Sequence, residues 1–485
     1  MPASFPQISW GAMMPLLLIT ATGLLVLVLD PLTAPEHRHR LSLLGLAGVL
    51  GAAVAVLARG GDSEILFGGM LAADAFAQFF NLLFLAVAGL TLLISLVYVR
   101  RVDIEPGEHG ALVLFATLGM MVMAGSLDLM TIFLGLETLS IALYILAGFL
   151  RDQVKSNESA LKYLLLGAFA SGFLLYGIAL IYGTTGSTNL VTVGAAIAKG
   201  RVQEPVLLTL GVGLLLIGLA FKIAAVPFHM WVPDVYEGAP TSVTAFMIAG
   251  TKAAAFAVFV RVLTVALPSL HAEWSPVLWV LAALSMTVGN LVALAQSNLK
   301  RMLAYSSIAH AGYILVALVA GSPLGSGSVL FYLAAYACMN LGAFGVIVAL
   351  SRADGERLTF DQYAGLGRRH PVLGAAMALF MFSLAGVPPT GGFMGKLYVF
   401  SAAIQANYVG LAILGVLNSV VSAFYYLRVT VVMYMATPET EPAPGEPSPA
   451  LSLAILLAAW GTVMLGVLPA RFFEMALRSV GVTLG

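Results

Sequence analysis

The chain has 485 residues, of which 60% are hydrophobic and only 9% charged, where an ordinary soluble domain carries roughly 25% charged residues. Net charge is zero and no basic block is present, which argues against a nucleic-acid partner. One cysteine, Cys338, excludes an internal disulfide and leaves no cluster for an iron–sulfur centre or a structural zinc, so the apolar excess reads as an integral membrane protein.

Apolar segments near the ~20 residues that a spanning helix needs follow one another along the chain. They lie near 10–29, 41–58, 75–98, 109–126, 129–150, 160–183, 205–232, 240–265, 274–296, 299–320, 327–350, 372–404, 408–431 and 450–469. No Lys or Arg precedes the first, which therefore lacks the basic start of a signal peptide and is expected to remain as a helix. The longest linkers, near 59–74, 184–204, 351–371 and 432–449, leave no room for a soluble domain. In the last of them, Thr437-Pro-Glu-Thr-Glu-Pro-Ala-Pro-Gly-Glu-Pro447 reads as a flexible surface connection. The expected fold is all-α, a polytopic membrane protein of about 14 transmembrane helices.

Basic residues set an expected orientation. With the N-terminus outside, Arg38, Arg40, Arg100, Arg101, Arg151, Lys155, Lys300, Arg301, Arg352, Arg357, Arg368, Arg369 and Arg428 fall on the cytoplasmic side, and Arg59, Lys199, Arg201, Arg471 and Arg478 on the other. Thirteen against five is a positive-inside bias, and an even number of spans then puts both termini outside.

Two spans are interrupted alike, by Pro227 and Pro233 in the seventh and by Pro388 and Pro389 in the twelfth. Proline removes a helical hydrogen bond and clashes with the preceding turn, so both should break at membrane depth. Five spans separate them, so they cross in opposite directions, as in an inverted-topology repeat whose broken helices mark a transport site. The expected division is 1–105, an N-terminal three-helix segment; 106–268 and 269–435, two inverted five-helix repeats built from spans four to eight and nine to thirteen; and 436–485, a linker with the C-terminal helix.

Ionisable residues inside such spans cost about 2.5–3.5 kcal/mol on the insertion scale and usually mark ion pathways. Glu137, Lys222, Lys252 and Lys396 are the candidates, and pairing Lys222 with Glu137 would offset much of the cost of both. Each could instead be a buried structural hydrogen-bond partner. Lys162 follows a polar run and could snorkel to the headgroups, Arg261 reads as an interfacial anchor, and Asp30, Asp103 and Glu105 read as solvated surface. Glu137, Ser140 and Tyr144 share a helix face, as do Ser306, His310 and Tyr313, and likewise Asn418, Ser422 and Tyr425. Such stripes suit a hydrated proton path, although His310 could merely bond a neighbouring helix. The Thr390–Lys396 segment is no phosphate loop, having the wrong glycine spacing and Leu397 in place of a magnesium-binding hydroxyl.

Phe133-Leu-Gly-Leu-Glu137-Thr-Leu-Ser140, Gly218-Leu-Ala-Phe-Lys222 with its continuation to Pro240, Asn298-Leu-Lys-Arg-Met-Leu-Ala-Tyr-Ser-Ser-Ile-Ala-His310 and Leu384-Ala-Gly-Val-Pro-Pro-Thr-Gly-Gly-Phe-Met-Gly-Lys396 together resemble the antiporter-like subunits of respiratory complex I, the bacterial NADH:quinone oxidoreductase (NDH-1). Lys162, the Val232–Pro240 motif and a lysine at the second break resemble most the branch called subunit N, the counterpart of mitochondrial subunit 2. The resemblance implies a proton-translocating membrane subunit of the bacterial inner membrane, partnered by other membrane subunits, including further antiporter-like ones, and by lipids, with protons and water in its path. It implies no cofactor in this chain, with FMN, iron–sulfur clusters and quinone held by partner subunits. It also implies that Glu137 pairs with Lys222, that Lys162 biases the pair, that Lys252 links two half-channels and that Lys396 hands protons outward. Burial lowers a lysine's proton affinity and a nearby carboxylate raises it, so movement within such a pair can switch uptake and release. A stand-alone multi-subunit cation/proton antiporter and a purely structural membrane spacer are the alternatives.

Overall fold

The computed structural model describes residues 9–351, 356–437 and 448–481. Arg352, the acidic Pro-rich stretch beyond Thr437 and both chain ends lie outside the described residues. Among the described residues, thirteen helices are long and apolar enough to cross a membrane. The remaining expected span is divided between two 15-residue helices.

The first three spans are α1 (Trp10–Leu29), α2 (His39–Ala58) and α3 (Ala75–Arg101), with a small antiparallel hairpin of β1 (Glu64–Leu66) and β2 (Leu71–Ala73) in the loop before α3. Then come α4 (Pro106–Gly125), α5 (Leu129–Ala147), α6 (Val154–Thr185), the short α7 (Leu190–Ala198), and α8 (Pro205–Ile223), which stops at the first break. Short α9 (Val232–Gly238) follows the break, and α10 (Thr241–Phe246) and α11 (Lys252–Arg261) are joined by a π-helical turn, Met247–Thr251, into one crossing. The second half has α12 (His271–Leu294), α13 (Leu299–Val319), α14 (Pro323–Leu350), the single turn α15 (Leu366–Arg369), the broken pair α16 (Pro371–Ala385) and α17 (Gly391–Gln405), and α18 (Val409–Met435). Helices α19 (Pro449–Val467) and α20 (Pro469–Gly481) close the described chain.

Burial divides these helices into an inner and an outer set. The crossing 241–266 is enclosed on every side, and α13 and α14 nearly so, whereas α1, α2, α6, α18 and α19 show wide apolar faces. Phe169 and Phe173 on α6 and Leu417, Val420 and Phe424 on α18 are among the exposed side chains. Outer faces of this kind suit lipid or a neighbouring membrane protein. Polar side chains on the inner helices have no such outlet and must find partners within the bundle.

The same device starts α5 and α13. Asp128 caps α5 through the Met130 and Thr131 amides, and Asn298 caps α13 through the Arg301 amide. Each cap residue also forms an isolated antiparallel bridge with a distant loop, Asp128 with Asn189 and Asn298 with Thr359. Bonds from Leu129 N–H to Thr188 O (2.9 Å) and Leu190 N–H to Leu127 O (2.8 Å) hold the first. Leu299 N–H to Leu358 O (2.7 Å) and Phe360 N–H to Ser297 O (3.3 Å) hold the second. The sequence interval from Asp128 to Asn298 equals that from Asn189 to Thr359.

Both expected breaks are present. α8 ends in a left-handed residue, Ala224 (φ 62°), and α16 ends in Gly386 (φ 91°), so each helix reverses its backbone just before its prolines. Only glycine takes the second position without strain, and a Cβ there would also press to 3.1 Å from the Lys396 side chain.

Candidate functional site

Lys222 stands in the last turn of α8, 4% exposed. Its ammonium donates to Ser140 Oγ on α5 at 2.7 Å and lies 5.4 Å from the Tyr163 ring centre and 6.0 Å from that of Tyr144. Ser140 in turn donates to the Leu136 carbonyl. Glu137, one turn earlier on α5 and half-buried, accepts a hydrogen bond from Ser171 on α6. Among the described residues no ion pair joins Glu137 to Lys222; Ser140 meets the ammonium instead. Aromatic packing fixes the surroundings: Trp231, just past the break, stacks on Tyr163 at 4.6 Å and donates its indole N–H to the Phe221 carbonyl at 3.2 Å.

Lys252 opens α11 directly after the π-helical turn and is fully buried. Turns of this kind widen the backbone ladder and are frequent at functional sites. Its ammonium donates to the Ser307 carbonyl on α13. One turn along α13, His310 lies between two tyrosine hydroxyls, Tyr332 on Nδ1 (2.8 Å) and Tyr426 on Nε2 (3.0 Å). It is also within electrostatic range of both Lys252 and Lys396.

Lys396 sits on α17, 5% exposed, and reaches back across the second break to the Leu384 (3.2 Å) and Ala385 (2.9 Å) carbonyls. Those are last-turn carbonyls of α16, left without helical donors by the break, and they form the negative end of its dipole. The Tyr313 ring centre lies 4.9 Å from the ammonium, and the Tyr313 hydroxyl accepts from Asn290, which also bonds Asn418 and Tyr425. Two of the expected stripes therefore converge here.

Lys162 is not in this row. Its ammonium pairs with Glu158 (2.5 Å) and Asp234 (2.6 Å) at the rim of the bundle. Arg301 pairs with Asp234 and Glu237 (both 2.9 Å), and Lys155 with Glu237 (2.9 Å). Partial burial pushes the Asp234 and Glu237 carboxyls up, and the flanking cations overcome it, holding both below the usual carboxylate range.

Two surface readings are corrected. Arg261 is fully buried rather than anchored at the interface: it makes a bidentate pair with Asp74 (2.6 and 2.7 Å) and donates to the Ala124 carbonyl (3.1 Å). Its helix end lies against α3 and α4, so the guanidinium meets protein where headgroups were expected. Asp30 is buried as well, covered by Gly107 at the start of α4, where a Cβ would come within 2.1 Å of its carboxylate.

Residues absent from the sequence reading are Ser171, Tyr163 and Trp231 around Lys222, and Tyr332 and Tyr426 around His310. Tyr426 adjoins the expected Tyr425, and the 3.6-residue period alone does not decide which of two adjacent tyrosines faces His310. Among the described residues no group of three or more His, Cys, Asp and Glu side chains could hold a metal ion.

Buried lysines at two helix breaks, in a bundle of this length and polarity, define an ion-translocating membrane protein. Residues 126–422 match the family described as NADH:quinone oxidoreductase/Mrp antiporter, transmembrane. The chain belongs to the NADH-quinone oxidoreductase subunit N family, being 48% identical to that subunit of Trichlorobacter lovleyi over 98% of both chains. It is similar to a chain in respiratory complex I of Thermus thermophilus, with a TM-score of 0.82 and 38% identity over 96% of this chain and 100% of that one. A chain of the Mrp complex from Dietzia shares the fold at TM-score 0.85, with 22% identity over 98% of this chain and 97% of that one.

Proposed function

We propose that this chain is the proton-translocating subunit N of a bacterial respiratory NADH:quinone oxidoreductase, carrying protons along Glu137, Lys222, Lys252, His310 and Lys396. Redox chemistry in partner subunits drives the movement, and those partners hold the flavin, iron–sulfur clusters and quinone. The observation that carries this reading is that Lys222, Lys252 and Lys396 are each buried, and each bonds a neutral oxygen, namely Ser140 Oγ, Ser307 O, or the Leu384 and Ala385 carbonyls. A lysine held by a fixed carboxylate is a strut. One held only by neutral oxygens keeps a charge state that small movements of nearby dipoles can change. Glu137 supplies the mobile counter-charge, one helical turn from Ser140. Lys162 tunes that pair from the rim through Asp234.

The matching cap-and-bridge devices at Asp128 and Asn298 support two repeats, 106–268 and 269–435, of inverted topology, and the excess of basic residues supports both termini on the outer side. Relatives that match over the whole chain favour the respiratory enzyme over a stand-alone antiporter. The test is Lys222→Ala and Glu137→Gln in the assembled enzyme, with NADH-driven quinone reduction and proton pumping followed in membrane vesicles. Both rates should fall at least about a hundredfold, the lower end of what a positioned proton-transfer group contributes, with subunit composition unchanged. Full pumping in an assembled Lys222→Ala enzyme would leave the chain a structural spacer.

A further inference from the structure

On the face that carries Lys155 and Arg301, a cavity of about 490 Å³ opens between the end of α3, the α5–α6 turn and the chain just past α9. Arg101, Asp103, Lys155, Glu237 and Glu356 line it. Glu356, 17% exposed, faces inward: one oxygen accepts from the Thr241 hydroxyl (2.5 Å), the Thr241 amide (3.3 Å) and the Tyr98 hydroxyl, and the other from Lys300 (3.1 Å). Lys300 is 1% exposed and donates also to the Ala239 carbonyl at 2.7 Å. None of these residues belongs to the row already described.

Behind this mouth, α14 presents Tyr332, Tyr336 and Asn340 at four-residue intervals on one face, all fully buried. They span about 12 Å at 1.5 Å per residue. Tyr332 already bonds His310, and the Tyr336 ring lies 5.0 Å from the imidazole. Among the described residues the Tyr336 hydroxyl, Asn340 Oδ1, the Ser242 hydroxyl on α10 and the Ser307 hydroxyl on α13 are buried and make no hydrogen bond of ordinary length, while the Tyr336 hydroxyl faces both Ser307 and Asn340. Buried polar atoms are satisfied by protein or by water, and α14 packs against both α10 and α13, the helices that carry the two serines. The four atoms extend from Ser242, beside the Thr241 that bonds Glu356, to Ser307, whose carbonyl holds Lys252, and such a column of atoms suits internal water.

We propose that this cavity and column are a proton-uptake path, with the Glu356–Lys300 pair as the acceptor at its mouth and Asn340, Tyr336 and Ser307 leading to Lys252 and His310. The proposal rests on the transport reading above. A hydronium in the cavity gives its proton to the Glu356 carboxylate, leaving water and a neutral carboxyl. Each hydroxyl or water along the column takes one proton and releases one, with Asn340 holding a water in place; Lys252 enters the step as a neutral amine and ends as an ammonium, and Glu356 is a carboxylate again. Burial favours the neutral carboxyl, while Lys300 and the Thr241 and Tyr98 hydroxyls overcome it and hold the group below the usual carboxylate range. Lys300's distance therefore sets when the carboxylate accepts. Among the described residues, the other charged or titratable groups around Glu356 include Arg101, Asp103, Lys155, Glu237, Arg357 and Tyr363.

Assembled Glu356→Gln, Glu356→Asp and Asn340→Leu enzymes are compared for NADH-driven proton pumping. Losing the acceptor should slow Glu356→Gln about tenfold near pH 8, with recovery toward the parent rate near pH 6, where protons are more abundant; Glu356→Asp should keep most of the rate. Asn340→Leu interrupts the column and should be slow at both pH values. Parent rates and an unchanged pH profile in both Glu356→Gln and Asn340→Leu, while Lys252→Ala stays inactive, would place uptake elsewhere and leave the transport reading standing. Normal pumping by Lys252→Ala as well would overturn both.

Discussion

Two kinds of buried cation share this bundle, and their partners tell them apart. Arg261 gives three donors to fixed acceptors, two on Asp74 and one on the Ala124 carbonyl, and its guanidinium also lies 4.4 Å from the Phe76 ring centre. Every part of that arrangement is static: guanidinium stays protonated, and the bidentate geometry suits one position only. Arg261→Leu should therefore destabilise the protein by about 3–5 kcal/mol, because Asp74 is left buried and unpaired. Adding Asp74→Leu should recover most of that loss, but not the last ~1 kcal/mol, since Asp74 also caps α3 through the Ala77 amide at 2.8 Å. Thermal unfolding in detergent of the two variants and the parent checks both steps. A single variant as stable as the parent would contradict the pair's structural role. Lys252, with one backbone carbonyl as its hydrogen-bond acceptor, is held far less firmly.

Helices in this bundle approach one another through missing side chains. A Cβ on Gly119 of α4 would lie 2.6 Å from the Gly135 carbonyl and the Leu139 amide of α5, and one on Gly289 of α12 would lie 2.6 Å from the Ala309 amide of α13. Small residues permit such backbone contact where no hydrophobic effect drives helices together. Gly289→Leu should separate α12 from α13, displace Asn290 from Tyr313 and Tyr425, and cost about 1–3 kcal/mol by overpacking. Reduced assembly yield and a lower unfolding temperature are the measurements. The long elements were legible in the sequence because an apolar run near twenty residues has few other uses, and the breaks because proline deep in a span removes a helical hydrogen bond and clashes with the preceding turn. The π-helical turn before Lys252 and the short α7, α9 and α20 were not, since their hydrogen bonding depends on neighbours distant in the chain. Lys222, Lys252 and Lys396 stood out as charges in apolar surroundings. Tyr332, Tyr336 and Asn340 carry no charge at neutral pH, and among 16 tyrosines a four-residue interval signals nothing until α10 and α13 are placed against it.

Across the whole molecule, the ionic ring at the basic face joins the two halves. Asp234 on α9 takes Lys162 from α6 and Arg301 from α13, and Glu237 takes Lys155 and Arg301. Short α9 follows the first break, and Trp231 at its start stacks on Tyr163, beneath the Lys222 ammonium. The ring therefore holds from outside the segment that shapes the surroundings of Lys222. With Arg301 and Asp234 each about a third exposed (31% and 33%), solvent screens the pairs, so each contributes little alone and the network acts mainly by fixing geometry. Both carboxyls sit below their ordinary values in the folded protein. Their stabilisation is therefore fully present above about pH 4 and lost as pH falls below it through the folded values. Asp234→Asn should lower the unfolding temperature near neutral pH, with the gap to the parent closing below about pH 4 and shrinking in high salt. Its pumping should fall while Lys162→Arg, which keeps the charge, stays close to the parent. If Asp234→Asn loses stability equally at every pH, the carboxylate matters through packing and the two halves are coupled by some other contact.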